Sequence, residues 1–356
     1  MSTVLITGGA GFIGCRLAHR LIGLGHDVVA ADVLHPQVHP ERTLPPEFPA
    51  AATFVPFDVT QADGWEPLLR QVQADVVVHL AAETGTGQSL SEASRHGLVN
   101  VVGTTRLMDG MMRLGSSRPS HVVLTSSRAV YGDGAWAAAD GTVVYPGGRR
   151  VADLREGRWD PVGADGAALR PLPSVAGVTE PRPTNVYAAT KLAQEHLLDA
   201  WCAATETRLS ILRLQNVFGP GQSIANSYTG VLTFFAREAC AGNALDVYED
   251  GEIIRDFVFV DDVVQALSSA VERPPATTRL VDIGSGEAAT IATAAALIAR
   301  HVDAPAPRVS GRFREGDVRA ASCSIDAARA ELGYEPATRL HEGIERLVDW
   351  VAANGS

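Results

Sequence analysis

The 356-residue chain has only four cysteines, Cys15, Cys202, Cys240 and Cys323, and no two stand at metal-ligand spacing. That argues against a disulfide-framed scaffold and a cysteine-based metal site, so reduced thiols and no metal are expected. Positive charge is scarce as well. The formal net charge of −11 argues against a nucleic-acid or anionic-membrane surface, although it leaves room for a local basic pocket. Long apolar runs are also missing. The most apolar late stretch, Ala288 to Ala299, is too short and too rich in threonine to span a bilayer. The first strand pattern begins at residue 3 or 4, which leaves no space for a signal peptide, so a cytoplasmic protein is expected. Neither nucleic acid nor membrane is an expected partner. What is present, 46% hydrophobic and 20% charged residues, describes an ordinary globule with enough chain for one large domain or two lobes.

The chain is organised around Thr7-Gly8-Gly9-Ala10-Gly11-Phe12-Ile13-Gly14. An apolar run, Val4-Leu5-Ile6, precedes it, and the helical pattern Cys15 to Ile22 follows. A strand, a glycine turn and a helix in this order suit a dinucleotide pyrophosphate. Gly8, Gly11 and Gly14 supply the tight turn, the close backbone approach and the helix–strand contact, and the amides at the helix start hold the charge. A second strand pattern, His26 to Ala31, ends in Asp32, suited to accept from an adenosine ribose. A carboxylate there selects NAD over a 2′-phosphorylated cofactor.

Short β-branched runs then alternate with helical patterns to about residue 130, which reads as a parallel α/β sheet. Strands are expected at Val4–Thr7, Val28–Ala31, Thr53–Pro56, Val76–Leu80 and His121–Ser126. Asp58-Val59 follows the third, where Asp58 either meets the adenine or caps the helix expected over Gly64–Val72. The small residues after the fourth, Leu80-Ala81-Ala82, let a flat cofactor lie on the strand ends, with Thr84 just beyond. The next helix carries Asn100 in an otherwise apolar packing stripe. The fifth strand runs into Ser126-Ser127-Arg128-Ala129-Val130-Tyr131-Gly132.

Tyr187 and Lys191 are spaced i and i+4 and so share one helical face. A tyrosine hydroxyl is a poor base at its unperturbed pKa of about 10. A nearby ammonium and a cationic nicotinamide would lower it. Taken with Gly8, Gly11, Gly14, Asp32 and Ser127 in this order, the pattern resembles the extended short-chain dehydrogenase/reductases that act on nucleotide sugars. The resemblance runs over essentially the whole chain, through Thr7–Gly14, His79–Ala82, Ser126–Gly132, Tyr187–Lys191, Arg213–Gln222, Arg255–Val264, Gly316–Arg319 and Leu332–Pro336.

The resemblance implies a Rossmann-type doubly wound parallel sheet with a smaller α/β substrate-binding lobe. Residues 1–216 with about 257–283 would bind NAD, and 217–256 with 284–356 the nucleotide sugar. It implies Ser127, Tyr187 and Lys191 as catalytic. Asn216, Arg255 and Arg319 would hold the substrate diphosphate, the guanidinium forks matching phosphate oxygens. Phe259 stands where many relatives carry histidine, a change expected near the base pocket. The family pairs helices such as those near Asn100–Met112 and Tyr187–Trp201 into a four-helix bundle, so a homodimer is expected. A long insert at about 134–180, rich in glycine and proline, reads as a loop excursion with room for a short hairpin, serving as a lid or as part of a dimer contact.

Family members that dehydrate or decarboxylate need carboxylates just after the serine motif; here those positions are Arg128-Ala129. Oxidation and reduction at one sugar carbon remain, as in a 4-epimerase that keeps its NAD. The segments Glu83–Ser89, Ser127–Gly132 with the insert, and Asn226–Gly230 resemble dTDP-L-rhamnose 4-epimerases, although cysteine pairs found in the insert of such relatives are absent. A one-way 4-ketoreductase is the alternative, and Asp32 speaks against its NADPH. A non-catalytic NAD sensor is the third reading, opposed by the presence of both Tyr187 and Lys191.

Overall fold

The β-branched runs of the first half form one sheet, and their alternation divides its two faces. In the computed structural model, which describes residues 1–223 and 230–355, seven strands lie in parallel. They are β1 (Thr3–Thr7), β2 (Asp27–Asp32), β3 (Thr53–Pro56), β4 (Val76–His79), β5 (His121–Ser127), β6 (Arg208–Leu214) and β7 (Thr278–Ile283). Their spatial order is β7-β6-β5-β4-β1-β2-β3, and each neighbouring pair is parallel. The order reverses between β1 and β4, which opens a crevice at the strand carboxyl ends where α/β sheets bind ligands.

Period-two alternation buries both faces. Val4, Ile6, Val76 and Val78 enter one apolar cluster, while Leu5, Val77, Leu107 and Trp65 enter the other. The first cluster continues through helix Val260–Glu272 into the second lobe, to helix Leu340–Asn354. Ile344, Leu347, Val348 and Val351 are buried on one face of that last helix, as its spacing predicts. Phe259 also belongs to this core. Its ring packs edge-on against Phe218 at 5.6 Å, with the Arg346 guanidinium 4.2 Å from its centroid. The expectation that it borders a base pocket is therefore corrected.

A smaller sheet builds the second lobe. Strand Ile254–Phe259 pairs in parallel with Asn216–Phe218 and with Ala320–Ala321, and antiparallel with Ala288–Thr290. The insert contains the short hairpin that its composition allows, with a third strand and a helix added. Trp136–Ala137 pairs antiparallel with Val143–Val144 and with Arg170–Pro171, and a short helix covers Val151–Arg155. The insert lies on the second lobe: Ser174 N donates to Ser322 O at 2.9 Å, and Ser324 N donates to Ser174 O at 2.9 Å. Among the described residues, no helix is long and apolar enough to cross a membrane.

Candidate active site

The glycine turn works by space as well as by dihedral freedom. Gly8 has φ +68°, and a Cβ there would lie 2.9 Å from Ala81 N. A Cβ on Gly14 would lie 2.4 Å from Gly8 O, so only glycine lets helix Phe12–Gly23 start this close to β1. Gly11 is the helix N-cap, and its N–H donates to Gly8 O at 3.1 Å. The amides of Phe12 and Ile13, in the first turn, have no intrahelical partners. Asp32 ends β2, where Oδ2 accepts from Ala10 N at 3.1 Å and Oδ1 from Leu34 N at 2.9 Å. Its carboxylate thus braces the glycine turn and stays partly exposed. Leu80, Ala81 and Ala82 line the β4 end, where Leu80 N donates to Thr7 O at 3.1 Å and Ala81 N to Thr7 Oγ1 at 3.2 Å. These residues fit a dinucleotide: a side-chain-free turn, a helix start and a ribose-level carboxylate sit at the switch point.

Three expected cofactor residues have other work in this structure. Asp58 Oδ1 accepts from Thr60 N at 2.8 Å and from Thr60 Oγ1 at 2.7 Å, so it caps its own turn. The following helix starts at Trp65 with Gly64 as N-cap, so Asp58 is not its cap. Val59 is buried in the core, and its carbonyl accepts from Trp65 Nε1 at 3.0 Å. Asn100 is fully buried on the wide turn Gly97–Val102. Its Oδ1 accepts from Glu83 N at 2.8 Å, and its Nδ2 donates to Glu83 O and Thr190 Oγ1 at 3.0 Å each. Asn100 therefore ties the β4 loop to the helix that carries Tyr187. Thr84 sits on that loop and is exposed.

Ser127 and Tyr187 come together, and Lys191 lies one turn further along the same helix. Helix Val186–Thr205 begins at Asn185, whose side chain accepts from Ala188 N at 2.9 Å, and this puts Tyr187 in the first turn. Ser127 ends β5, and its side chain is hydrogen-bonded to Tyr187. Burial raises the tyrosine pKa, and the Ser127 hydrogen bond and then the Arg128 guanidinium oppose that rise. The expected lowering by Lys191 is corrected. That side chain is buried and turns to Gln194, where Nζ donates to Oε1 at 2.6 Å. Burial lowers the ammonium to about 8, and Glu195 partly offsets this.

Gln194 Nε2 in turn donates to Thr104 Oγ1 at 2.7 Å, and Thr104 donates to Asn100 O at 2.6 Å. Thr104 then has lone pairs to accept from His79 Nε2 at 3.1 Å, which leaves Nδ1 to accept from Thr7 Oγ1 at 2.8 Å. Full burial, with Lys191 adding repulsion, pushes His79 down to about 3, so this chain of bonds runs through a neutral imidazole. Behind Ser127, Arg213 donates to both oxygens of Glu195 (3.0 and 2.6 Å) and stacks 4.7 Å from the Tyr131 ring centroid. Tyr131 donates to Asp282 at 2.9 Å, and Ser126 donates to Glu195. None of these supporting groups was singled out from sequence. Gln194 and Glu195 stand three and four residues after Lys191 on one helical face, which could have flagged them. So could another feature: Lys191 is the only lysine in the chain.

On the substrate side, Asn216 begins its strand with Oδ1 buried and without a partner among the described residues. Arg255 is buried and donates to Ile254 O at 2.8 Å and Asp317 Oδ1 at 3.0 Å. Arg319, also buried, is surrounded by acid. Nε donates to Asp160 at 2.7 Å, Nη1 to Asp250 at 2.7 Å and Glu249 at 3.1 Å, and Nη2 to Asp250 at 2.8 Å. Arg128 follows Ser127 and makes no hydrogen bond or ion pair with any described residue. Burial lowers it to about 10, helped by repulsion from Arg255. Asn226–Thr229 lie outside the described residues. Among those described, no group of three or more His, Cys, Asp or Glu side chains is placed to hold a metal ion.

Comparison with known proteins agrees with this geometry. Residues 4–146 and 162–284 match the NAD dependent epimerase/dehydratase family. The chain is 52% identical over 349 residues to a dTDP-L-rhamnose 4-epimerase of Burkholderia thailandensis, covering 98% of this chain and 94% of that one. It is 30% identical to a UDP-glucose 4-epimerase of Mycolicibacterium smegmatis over 97% of each chain. The crystal structure of the Thermus thermophilus UDP-glucose 4-epimerase in complex with NAD superposes with a TM-score of 0.76 at 25% identity, covering 99% of both chains. A glycine turn at the switch point, Ser127 hydrogen-bonded to Tyr187 and these full-length matches have one explanation: the chain belongs to the NAD dependent epimerase/dehydratase family.

Proposed function

We propose that this protein is an NAD-dependent 4-epimerase of a dTDP-linked 6-deoxyhexose. The observation that carries the reading is Tyr187, half-buried and hydrogen-bonded to Ser127 at the carboxyl end of β5. The 52% identity to a dTDP-L-rhamnose 4-epimerase supports the sugar and the base. Residues 1–216 with about 257–283 bind NAD, through Gly8, Gly11, the first turn of the helix at Phe12 and Ile13, and Asp32. Residues 217–256 and 284–356 hold the nucleotide sugar.

Bound NAD supplies the acceptor and donor of a hydride at the sugar C4. Tyr187 removes the C4 hydroxyl proton, Ser127 holds the same oxygen, and the 4-keto sugar turns over about its link to the diphosphate. Tyr187 then returns the proton on the other face, so atoms and electrons balance with no net redox change. The Ser127 hydrogen bond and the Arg128 charge partly oppose the burial that holds the phenol above its ordinary value. Lys191 holds the nicotinamide ribose. Arg128 and Ala129 leave no acid at the positions where relatives dehydrate or decarboxylate.

The protein is also read as a cytoplasmic homodimer. Leu98 and Met112 are exposed on one helical segment, and Leu197 and Trp201 are half-buried on helix Val186–Thr205. Pairing these helices with those of a second copy would cover them.

The test is incubation of the purified protein with C4-deuterated dTDP-6-deoxyhexose, without added cofactor, followed by NMR. Epimer formation with deuterium retained at C4 is expected. Loss of the label to free cofactor would favour a 4-ketoreductase, and no turnover of any nucleotide sugar would remove the catalytic reading.

A further inference from the structure

Arg319 has no charge left to offer a diphosphate. All three of its nitrogens donate to carboxylates, and Asp160, Glu249 and Asp250 together outweigh its single positive charge. An added anion would meet net negative charge at that point. The arrangement instead joins two parts of the molecule, because Asp160 belongs to the insert while Glu249 and Asp250 belong to the second lobe. Arg149 repeats the connection, donating from the insert to Glu249 at 2.8 Å and to Asp317 O at 2.7 Å. Glu249 is 1% exposed and lies between the two arginines. Trp159 and Phe313 pack beside the junction with ring centroids 6.3 Å apart.

Arg128 presents the opposite situation. It lines a narrow cleft between β5, the insert and the second lobe, together with Gln215, Ala321 and Ser174. Ala321 is the strand partner of Arg255, and the Arg255 charge acts on Arg128 through space. Gln215 is buried there with an unpartnered Oε1. Asp317 and Asp133 act on Arg128 only through space, without a hydrogen bond. Two arginines held close, one of them lacking any bonded counter-ion, are costly to bury unless an anion joins them. A diphosphate carries that charge and matches two guanidinium forks.

We propose that Arg128, beside Arg255, supplies the cation that holds the substrate diphosphate, while Arg319 is committed to latching the insert onto the second lobe. The inference rests on the nucleotide-sugar reading given above and redistributes the roles implied by family resemblance.

The experiment is calorimetric titration of the NAD-loaded protein with dTDP and, as an uncharged control, thymidine. Arg128→Gln is expected to weaken dTDP binding by at least about tenfold and to leave thymidine binding within about threefold. Arg128→Lys should recover part of the loss, which a purely structural role would not allow. Asp160→Asn and Arg319→Gln should leave dTDP affinity less affected than Arg128→Gln does, while limited proteolysis cuts the insert faster in both. The proposal is overturned if Arg128→Gln binds dTDP as wild type does, or if Arg319→Gln loses tenfold or more while its insert stays protected. Failure of the wild type to bind any nucleoside diphosphate would overturn the substrate reading and this proposal together.

Discussion

The two ends of the site are built in different ways. At the cofactor end, the parts sit close together in the chain: Gly8, Gly11 and Gly14 span one turn, and Asp32 closes the next strand. At the substrate end, Arg319 meets Asp160 across 159 positions, and Arg149 reaches Asp317 across 168. The first end is a backbone device, in which missing side chains leave space and free amides can meet an anion. The second is a charge device, in which the identity of the nearest carboxylate decides what an arginine can do. Local backbone devices can be read from spacing. Charge devices depend on which counter-ion the fold delivers.

Substitutions can break this comparison, and the largest effect is expected at the chemistry itself. Tyr187→Phe removes only the phenolic oxygen, so turnover should fall by roughly 10²–10⁴ while nucleotide binding persists, measured by epimer exchange and calorimetry. Activity retained in that variant would dissociate the tyrosine from proton transfer. Next comes the support behind the site. Glu195→Ala leaves Arg213 buried without its bidentate partner, and urea titration should show a loss of about 3–5 kcal/mol. An unaffected midpoint would mean that the cluster beneath Ser126 is not integral to folding.

The backbone device has its own test. Gly14→Ala places a methyl 2.4 Å from Gly8 O, and an overpacking cost of roughly 1–3 kcal/mol is expected, with release of bound NAD on mild heating. A variant as stable and as well loaded as wild type would show that the turn tolerates a side chain.

The smallest effect is a matter of pH. Burial raises Asp282 from 3.8 to about 7, and the Tyr131 hydrogen bond only partly opposes this. A carboxyl raised in the folded state binds more protons than in the unfolded chain between those values. Its contribution is complete below about 4 and is lost as pH rises through 7. Asp282→Asn should flatten the decline in melting temperature over that window, followed by circular dichroism. An unchanged slope would assign the decline to other groups.

The insert marks the limit of sequence reading most clearly. Its glycines and prolines allowed an excursion with a short hairpin, which is present, but the third strand at Arg170–Pro171 and the Trp159–Phe313 contact carried no local signal. Asn100 shows a subtler limit. Its place near the site was legible, but its saturation by Glu83 and Thr190 depends on a wide turn that leaves no periodic signature. Asp58 and Val59 likewise follow a strand end, where a local turn occupies Asp58 Oδ1 and Trp65 occupies the Val59 carbonyl.

The sequence by itself determined the strand–turn–helix start, the doubly wound sheet and the placing of Tyr187 and Lys191 on one helix. Each rests on short-range rules: period-two burial, glycine where a Cβ would collide, and i, i+4 spacing on a helix. Only the tertiary structure decided that Lys191 turns to Gln194, that Arg128 stands without a bonded partner, and that Arg319 is taken up by Asp160, Glu249 and Asp250. The physical reason is the range of the forces involved. Backbone preference acts within a few residues, whereas the state of a buried charge is set by whichever opposite charge the fold brings within about 4 Å, however distant in the chain.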